Sequence, residues 1–508
     1  MTSTPPTEHP NSETLSPKTE ATADRSASWI QTIALFCVYA VVMLVSMRPF
    51  LSKDIWWHMA AGRWIVQNGQ IPWTDPFSSF GQGKTWIAYS WLFELVVYGV
   101  HSIGGLTGIL LFRTAMSLSI TIALQRLITT FEKRWWLVIS YLTGLVAVMS
   151  QLTPERPWLM TILFSVLTLQ VIVDLRRGQP NHLTWWLPLI YVLWANLHIQ
   201  VVYGYFFLGL ACISPLIDYL IGQEDREYAA RPGTPEWQRL VKVTVLCVLA
   251  FFVTPYHVYL SVIVYQYATQ KVALNAIGEM QALSFRVACH WVTLAVGLVS
   301  TFCLGRRRFS AFELLALVGA CYFSFRSTRD VWMLSLVGAI IIPPTFRSRE
   351  TAPAKFGVRS IHKVVLLAAL VLFAGLLVYK GGASEQELQK AVARDFPKAA
   401  IEWIEENNPS GLLYNSYNWG GYIIWDLDVP DLLVAIDGRA NLHGGKRIAA
   451  FLRTVRLQPD WEDNPDFQSA RLLLLESNAP ILQHLKTDRR YEFVYEDDIA
   501  VVVRKVDP

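Results

Sequence analysis

The sequence predicts a polytopic α-helical membrane protein that carries a small α/β domain at its C-terminal end. Three observations predict it. The 508 residues are 53% hydrophobic and only 17% charged, which is too apolar for an ordinary soluble protein. Apolar runs of about 20 residues, the length a helix needs to cross a hydrocarbon core of about 30 Å, recur from Trp29 to Tyr379. Beyond Gln386 those runs stop and charge rises. The runs are continuous rather than alternating, which argues against a transmembrane β-barrel.

Residues 1–27 are rich in Ser, Thr, Pro and Glu and predict a disordered cytoplasmic segment. They lack the basic start and short apolar run of a cleaved signal peptide, so the first run, Trp29–Met47, is expected to remain as an anchor. Further spans are predicted near 107–129, 135–152, 158–174, 185–198, 201–221, 240–255, 287–304, 311–325, 331–343 and 364–379, about eleven in all. The membrane part is thus residues 28–380. The six cysteines, Cys37, Cys212, Cys247, Cys289, Cys303 and Cys321, all fall in apolar runs. They read as small packing residues, with no disulfide or thiolate metal site expected in the polar C-terminal region.

Basic residues set the expected orientation, because cytoplasmic loops are enriched in Lys and Arg. The clusters are Lys133/Arg134, Arg176/Arg177, Arg239/Lys242, Arg306–Arg308 and the set Arg347, Arg349, Lys355, Arg359 and Lys363. All fall on one side only if the segment Trp86–Val100 does not span. That segment therefore reads as an interfacial helix, and Glu94 within it fits that reading. The N-terminus is then cytoplasmic, the loop 48–106 lies outside, and residues 381–508 form an extracytoplasmic domain. Topology accounts for the basic residues, so nothing points to nucleic acid.

The outer loop reads "SKDIWWHMAAGRWIVQNGQIPWTDPFS" from Ser52. Asp54 opens a predicted helix that Asn68-Gly69 ends. Asp54 and His58 are four apart and share a face. Taken alone, Asp54 is a helix N-cap, Asp75 before Pro76 is a turn residue, and the tryptophans are interface anchors. The other predicted outer turns change the balance. "PERPW" carries Glu155 and Arg156, "WANLH" carries Asn196 and His198, "TPYH" carries Tyr256 and His257, and "SFRSTRD" carries Arg326, Arg329 and Asp330. These groups converge on one face. Carboxylates there can activate a hydroxyl or bind a divalent cation, and arginines can hold phosphate bidentately. Together they suit transfer from a phosphate-linked donor anchored in the bilayer.

On these residues the chain resembles the GT-C superfamily of membrane glycosyltransferases, which includes the protein O-mannosyltransferases and the bacterial lipid-A aminoarabinose transferase. It is most similar to a bacterial branch carrying "DIWWHMAAG", "IPWTDPFS", "WIAYSWLFE", "ERPW", "WANLH", "TPYH" and "WGGYIIW…IDGRANLHG", all present here. The likeness extends over nearly the whole chain after Trp29. It implies a hexosyltransferase-type enzyme of the bacterial inner (plasma) membrane, part of the cell-envelope machinery. Such an enzyme moves a sugar from a polyprenyl-phosphate donor to a lipid, glycan or protein acceptor. It implies an essential acid in the first outer loop, matched by Asp54, with Asp75 as the second candidate. In some relatives this acid is a general base and in others it binds a divalent metal ion; the sequence leaves both open. Arg156, Arg326 and Arg329 are the candidates for the donor phosphate. His58, Glu94, Glu155, Asn196, His198 and Tyr256 complete the expected substrate-binding set.

In residues 381–508, "GLLYNSY", "DLLVAIDG", "ARLLLLES", "YEFVYED" and "IAVVVRK" predict strands, and "FPKAAIEWIEENN", "NLHGGKRIAAFLRTVR" and "APILQHLKT" predict helices. Alternating helices and strands give a small α/β domain, long enough for its own core. Asp437 and Arg439 fall just past a predicted strand end, where such domains bind ligands. An internal Asp–Arg pair in a turn explains them more simply. The domain is expected to bind an acceptor glycan or to cap the membrane site. Two other functions fit the composition: a transporter or flippase of glycolipid, and a receptor that uses the C-terminal domain as sensor. The first ordinarily shows internal repeats and midplane ionisable groups, which this sequence does not.

Overall fold

In a computed structural model of the chain, residues 17–222, 228–269, 278–346, 356–429 and 431–506 are described. Arg347, Arg349 and Lys355 of the last basic cluster lie outside them, as do residues 1–16. The helix α1, Pro17–Ser46, begins inside the segment whose composition predicted disorder, so residues 17–27 are helical.

The bundle follows the predicted order. After α1 come α2 (Ile55–Asn68), α3 (Trp91–Phe131), α4 (Trp135–Met149), α5 (Trp158–Arg176), α6 (Leu183–Leu197) and α7 (Val202–Leu220). Then follow α8 (Pro235–Ala250), α9 (Tyr259–Thr269), α10 (Ala288–Gly305), α11 (Ala311–Arg326), α12 (Trp332–Thr345) and α13 (Ser360–Lys380). A helix lies at each of the eleven predicted spans. Seven of the helical segments, those in α1, α3, α4, α5, α7, α10 and α13, are long and apolar enough to cross a membrane. The other four, α6, α8, α11 and α12, have 15, 16, 16 and 14 residues. Of these, α12 is buried from Trp332 to Pro343, whereas α6, α8 and α11 each expose an apolar face, with Trp185, Leu249 and Val318 among the exposed residues. The chain is a multi-pass helical membrane protein.

Helix α3 has two parts. At Gly105 the backbone turns to φ 59°, ψ −152°, a conformation glycine adopts at little cost. A Cβ there would lie 2.6 Å from Glu385 Oε2. Glu385 instead accepts the Thr107 N–H at 3.0 Å, so a carboxylate caps the second, apolar half of α3 where a helix N-terminus favours negative charge. The first half, which includes Glu94, begins at Trp91 and packs along α2 as a segment separate from the second.

The C-terminal part contains α14 (Glu385–Asp395), α15 (Lys398–Asn407), β1 (Gly411–Asn415), α16 (Gly420–Asp426), β2 (Leu432–Val434) and α17 (Ala440–Val455). After these come α18 (Pro465–Ser469), β3 (Leu472–Glu476), α19 (Ile481–Leu485), β4 (Tyr491–Glu496) and β5 (Ala500–Lys505). All five predicted strands form, in one sheet of order β2-β1-β3-β5-β4. β1 is parallel to β2 and β3, and β5 is antiparallel to β3 and β4. The run of leucines in β3 is buried on both faces, as continuous apolar strands are.

The two faces differ in what covers them. Leu473, Leu475, Val501 and Val503 pack with Ile448 and Phe451 of α17 in a core belonging to the domain. Leu472, Leu474 and Val502 join a cluster that also contains Ile55, Trp56, Met59, Phe93 and Val97 of α2 and α3. The domain therefore has half of a private core and shares the other half with the loop after α1. Trp56 stands edge-on to Phe396 and Tyr422 at 5.4 and 4.8 Å. Side chains of this size each contribute roughly 1.5–3 kcal/mol on burial, so this contact holds the two parts together. The loop also extends the sheet: Ser78 bridges Val434, and the Ser79 N–H donates to the Val434 carbonyl at 3.0 Å.

Candidate active site

Asp54 occupies the residue before α2, yet it does not cap the helix. Its backbone is already helical (φ −84°, ψ −19°) and its side chain accepts no N–H from the first turn. The carboxylate turns instead to Arg156, 2.6 Å away. Arg156 comes from the turn before α5, where Ser52 Oγ accepts from its Nε at 2.8 Å. Its other face meets Glu279 at 2.8 Å, and Glu279 also binds Arg329 at 2.9 Å. Both guanidinium groups lie against the Trp158 ring, at 5.0 and 5.2 Å. Asp54, Arg156, Glu279 and Arg329 thus form a chain of alternating charge.

This chain lines a cavity of about 270 Å³ that also receives His58 and His198. Burial raises the Asp54 carboxyl above the ordinary carboxylate value even though Arg156 opposes it. Burial also pushes Glu279 up, but the two arginines outweigh it and hold that carboxyl low. Burial, with Arg156 adding to it, keeps the His58 imidazole well below its usual range. The His58 ring lies tilted by 31° against Trp57 at 3.5 Å and faces Glu94 at 3.6 Å, beyond hydrogen-bond length.

A further wall comes from the C-terminal domain. Tyr417, Asn418, Gly421, Gly438, Ala440 and Asn441 line the same cavity. Gly438 is required by proximity, since a Cβ on it would lie 2.5 Å from Asp54 Oδ1. Beside the cavity lies a second one of about 320 Å³. It is walled by apolar residues such as Val202, Phe206 and Phe323, with Arg326 and Arg329 also in its lining. The two cavities share Tyr89, His198, Met280 and Arg329.

The structure divides the predicted residues. Asp54, His58, Arg156, His198 and Arg329 meet in the polar cavity, and Arg326 lies in the adjoining one. Asp75 lies outside both. Its carboxylate accepts from the Phe77 and Ser78 N–H groups at 3.1 Å and from Arg439 Nη1 at 2.5 Å, with no exposed surface. Glu155 is also absent from the lining. It is fully buried, accepts the Ser52 N–H, and pairs with Arg113 at 2.9 Å. Arg113 donates in turn to the carbonyls of Ser46, Arg48 and Phe50 at 2.5–2.6 Å, fixing the exit from α1. Asn196 accepts from the Trp91 indole and donates to Val192 and Val253 carbonyls, all at 2.8 Å. The Tyr256 hydroxyl donates to the Pro72 carbonyl at 2.8 Å. Both brace the loops. Glu94 lies behind His58, and His257 is exposed, bonding the Phe252 carbonyl at 3.1 Å.

Sequence reasoning missed Glu279 and Arg113. Glu279 has no local motif around it. Arg113 had a signal, a lone arginine inside an apolar run. A divalent ion requires several oxygen ligands. Near Asp54 the second carboxylate is Glu279, and both already face guanidinium groups. Among the described residues no three His, Cys, Asp or Glu side chains gather as a metal cage.

Fold and cleft define a polytopic helical membrane protein with a charged cavity between its bundle and an α/β domain. The chain matches no protein-family model and no curated protein. Among solved structures it is similar to an oligosaccharyltransferase from Archaeoglobus fulgidus in the apo form, at 11% identity and TM-score 0.48, covering 87% of this chain and 69% of that one. It is also similar to ArnT from Cupriavidus metallidurans bound to undecaprenyl phosphate, at 13% identity and TM-score 0.46, covering 96% of this chain and 98% of that one.

Proposed function

We propose that the protein is a membrane glycosyltransferase that moves a sugar from a polyprenyl-phosphate donor to a lipid, glycan or protein acceptor, on the extracytoplasmic face of a bacterial inner membrane. The observation that carries this reading is the junction of two cavities at Arg329. One combines apolar walls at Val202, Phe206, Val264 and Phe323 with Arg326, Arg329 and Asp330, and the other is charged and holds Asp54. The prenyl chain lies along the apolar walls of the second cavity and its phosphate is held by Arg329, Arg326 and Arg156, since arginine suits bidentate phosphate binding. Once the phosphate engages Arg156, the Asp54 carboxylate is released from its ion pair. It then takes the proton of the acceptor hydroxyl. The acceptor oxygen bonds to the anomeric carbon as the bond from that carbon to the phosphate oxygen breaks. The guanidinium groups stabilise the charge left on polyprenyl phosphate.

The test uses purified protein in lipid, a panel of polyprenyl-phosphate sugars and crude envelope acceptors. Release of polyprenyl phosphate by the wild type, and its fall by a factor of about 10²–10⁴ in Asp54→Asn, supports the reading. Equal release by both proteins removes Asp54 from the chemistry.

A further inference from the structure

The proposed reaction frees Asp54 from Arg156, and the first turn of α2 gives its carboxylate no N–H in exchange. Three residues along the same helix, and on the same face, stands Trp57. It lines the cavity and is 7% exposed. Its indole N–H is fully buried and has no hydrogen-bond partner, which is rare and costly for a donor. The domain fixes where that N–H lies. A Cβ on Gly438 would sit 2.5 Å from Asp54 Oδ1 and 3.3 Å from Trp57 Nε1, so the two atoms border one point. A Cβ on Gly421 would sit 3.3 Å from Trp57 Cδ1. The two glycines therefore border the pyrrole edge of the indole, while the His58 ring lies against it at 3.5 Å. Burial raises the Asp54 carboxyl and Arg156 opposes this; the Trp57 side chain also acts to lower it, as the weakest of these influences.

We propose that Trp57 is a positioning residue for Asp54: when the donor phosphate takes Arg156, the indole N–H becomes the hydrogen-bond donor that holds the carboxylate ionised and aimed at the acceptor hydroxyl. The proposal rests on the proposed reaction and adds a residue to it. An indole N–H only donates, so it can hold a carboxylate and cannot replace it as a base. It is also uncharged. A neutral donor holds a carboxylate less tightly than a guanidinium does and so leaves it more basic. The C-terminal domain takes part by seating the ring, since a side chain at Gly421 or Gly438 would press on its pyrrole edge.

The experiment places the full chain, with its tryptophan indoles labelled with nitrogen-15, in lipid nanodiscs. The resonance absent from Trp57→Phe, which keeps an aromatic ring and removes the N–H, is that of Trp57. Adding bare polyprenyl phosphate should move this signal downfield in the wild type and by less in Asp54→Asn. The signal needs no turnover, so it decides the proposal whichever donor reacts. Turnover is then followed against pH. A bond to the ionised carboxylate lowers its pKa, so losing it should move the acid limb of kcat to higher pH in Trp57→Phe. The other titratable groups of the cavity, Lys53, His58, Tyr89, His198, Tyr417 and Arg439 together with Arg156, Glu279 and Arg329, stay in place. At neutral pH kcat should fall about tenfold, the scale of one hydrogen bond to a charged group, with the Kd for polyprenyl phosphate unchanged. An equal shift of the signal in the wild type and Asp54→Asn would put the N–H on the phosphate and overturn the proposal. So would an unmoved acid limb in Trp57→Phe, which is what a purely structural role produces. A wild type that binds no polyprenyl phosphate at all overturns the donor reading itself, and this proposal with it.

Discussion

The Arg439 guanidinium and the Asp75 carboxylate meet at 2.5 Å across 364 residues of chain, and neither side chain has exposed surface. Asp437 binds the same guanidinium at 2.6 Å, and His443 Nε2 lies 3.0 Å from Asp437. The Phe77 and Trp86 rings, 5.2 and 4.6 Å away, complete the enclosure. Burial would raise the Asp437 carboxyl, but Arg439 and His443 together hold it far below its ordinary value. The loop after α1 and the C-terminal domain are thus locked by one buried cation between two carboxylates.

Removing that cation strands both carboxylates. Arg439→Met is expected to cost about 3–5 kcal/mol of stability, as breaking a buried ion pair does. Arg439→Lys should recover little, because a compact ammonium cannot reproduce the planar two-point bond to Asp437 together with the bond to Asp75. Thermal unfolding in nanodiscs and proteolysis within residues 381–506 read the effect. An unchanged melting temperature in both variants would show that the lock contributes nothing.

Gly438→Ala tests the closeness of the domain to the carboxylate. The added methyl must displace Asp54, which lies 2.5 Å from the ideal Cβ position. A shift of about 1 Å at a reacting group costs on the order of 10² in rate. The expected result is a large fall in kcat with the melting temperature and the Kd for polyprenyl phosphate nearly unchanged. Full activity would remove Gly438 from the site.

Glu279 occupies the place between Arg156 and Arg329 that the proposed reaction gives to phosphate. Glu279→Gln removes the competing charge and should tighten polyprenyl phosphate binding, by about tenfold if roughly one charge-assisted hydrogen bond no longer has to be displaced. A weaker Kd in this variant would mean that Glu279 holds the arginines in the geometry the donor needs.

Protonation of His58 gives a stability prediction. Its folded value lies well below the ordinary 6.5, so the unfolded chain binds a proton there that the folded chain refuses. Stability from this group is present in full above about pH 6.5 and is lost as pH falls toward the folded value. Arg156 and His198 face the ring and oppose its charging, while Glu94 lies at 3.6 Å. Melting temperatures between pH 8 and pH 5 should fall less in His58→Gln than in the wild type.

The helices, the five strands and the chemical types at the turns are written locally. Apolar runs near the membrane's thickness mark α1, α5 and α13, and the leucine and valine runs mark β3 and β5, because burial on folding depends on periodicities of a few residues. That Asp54 and Arg156 share one end of the bundle followed from counting spans. Which of two aspartates faces the cavity was not legible. One reads as a helix cap and the other as a turn residue, and the choice is made by Arg156 in one case and by Arg439 in the other, partners far away in the chain. Glu279 carries no motif and gains its meaning only between two arginines from other turns. The sequence by itself determined the elements and the residue types they carry, since those follow from local hydrophobicity. Only the tertiary structure decided which charges neutralise one another, because a buried charge is defined by the partner that folding brings to it.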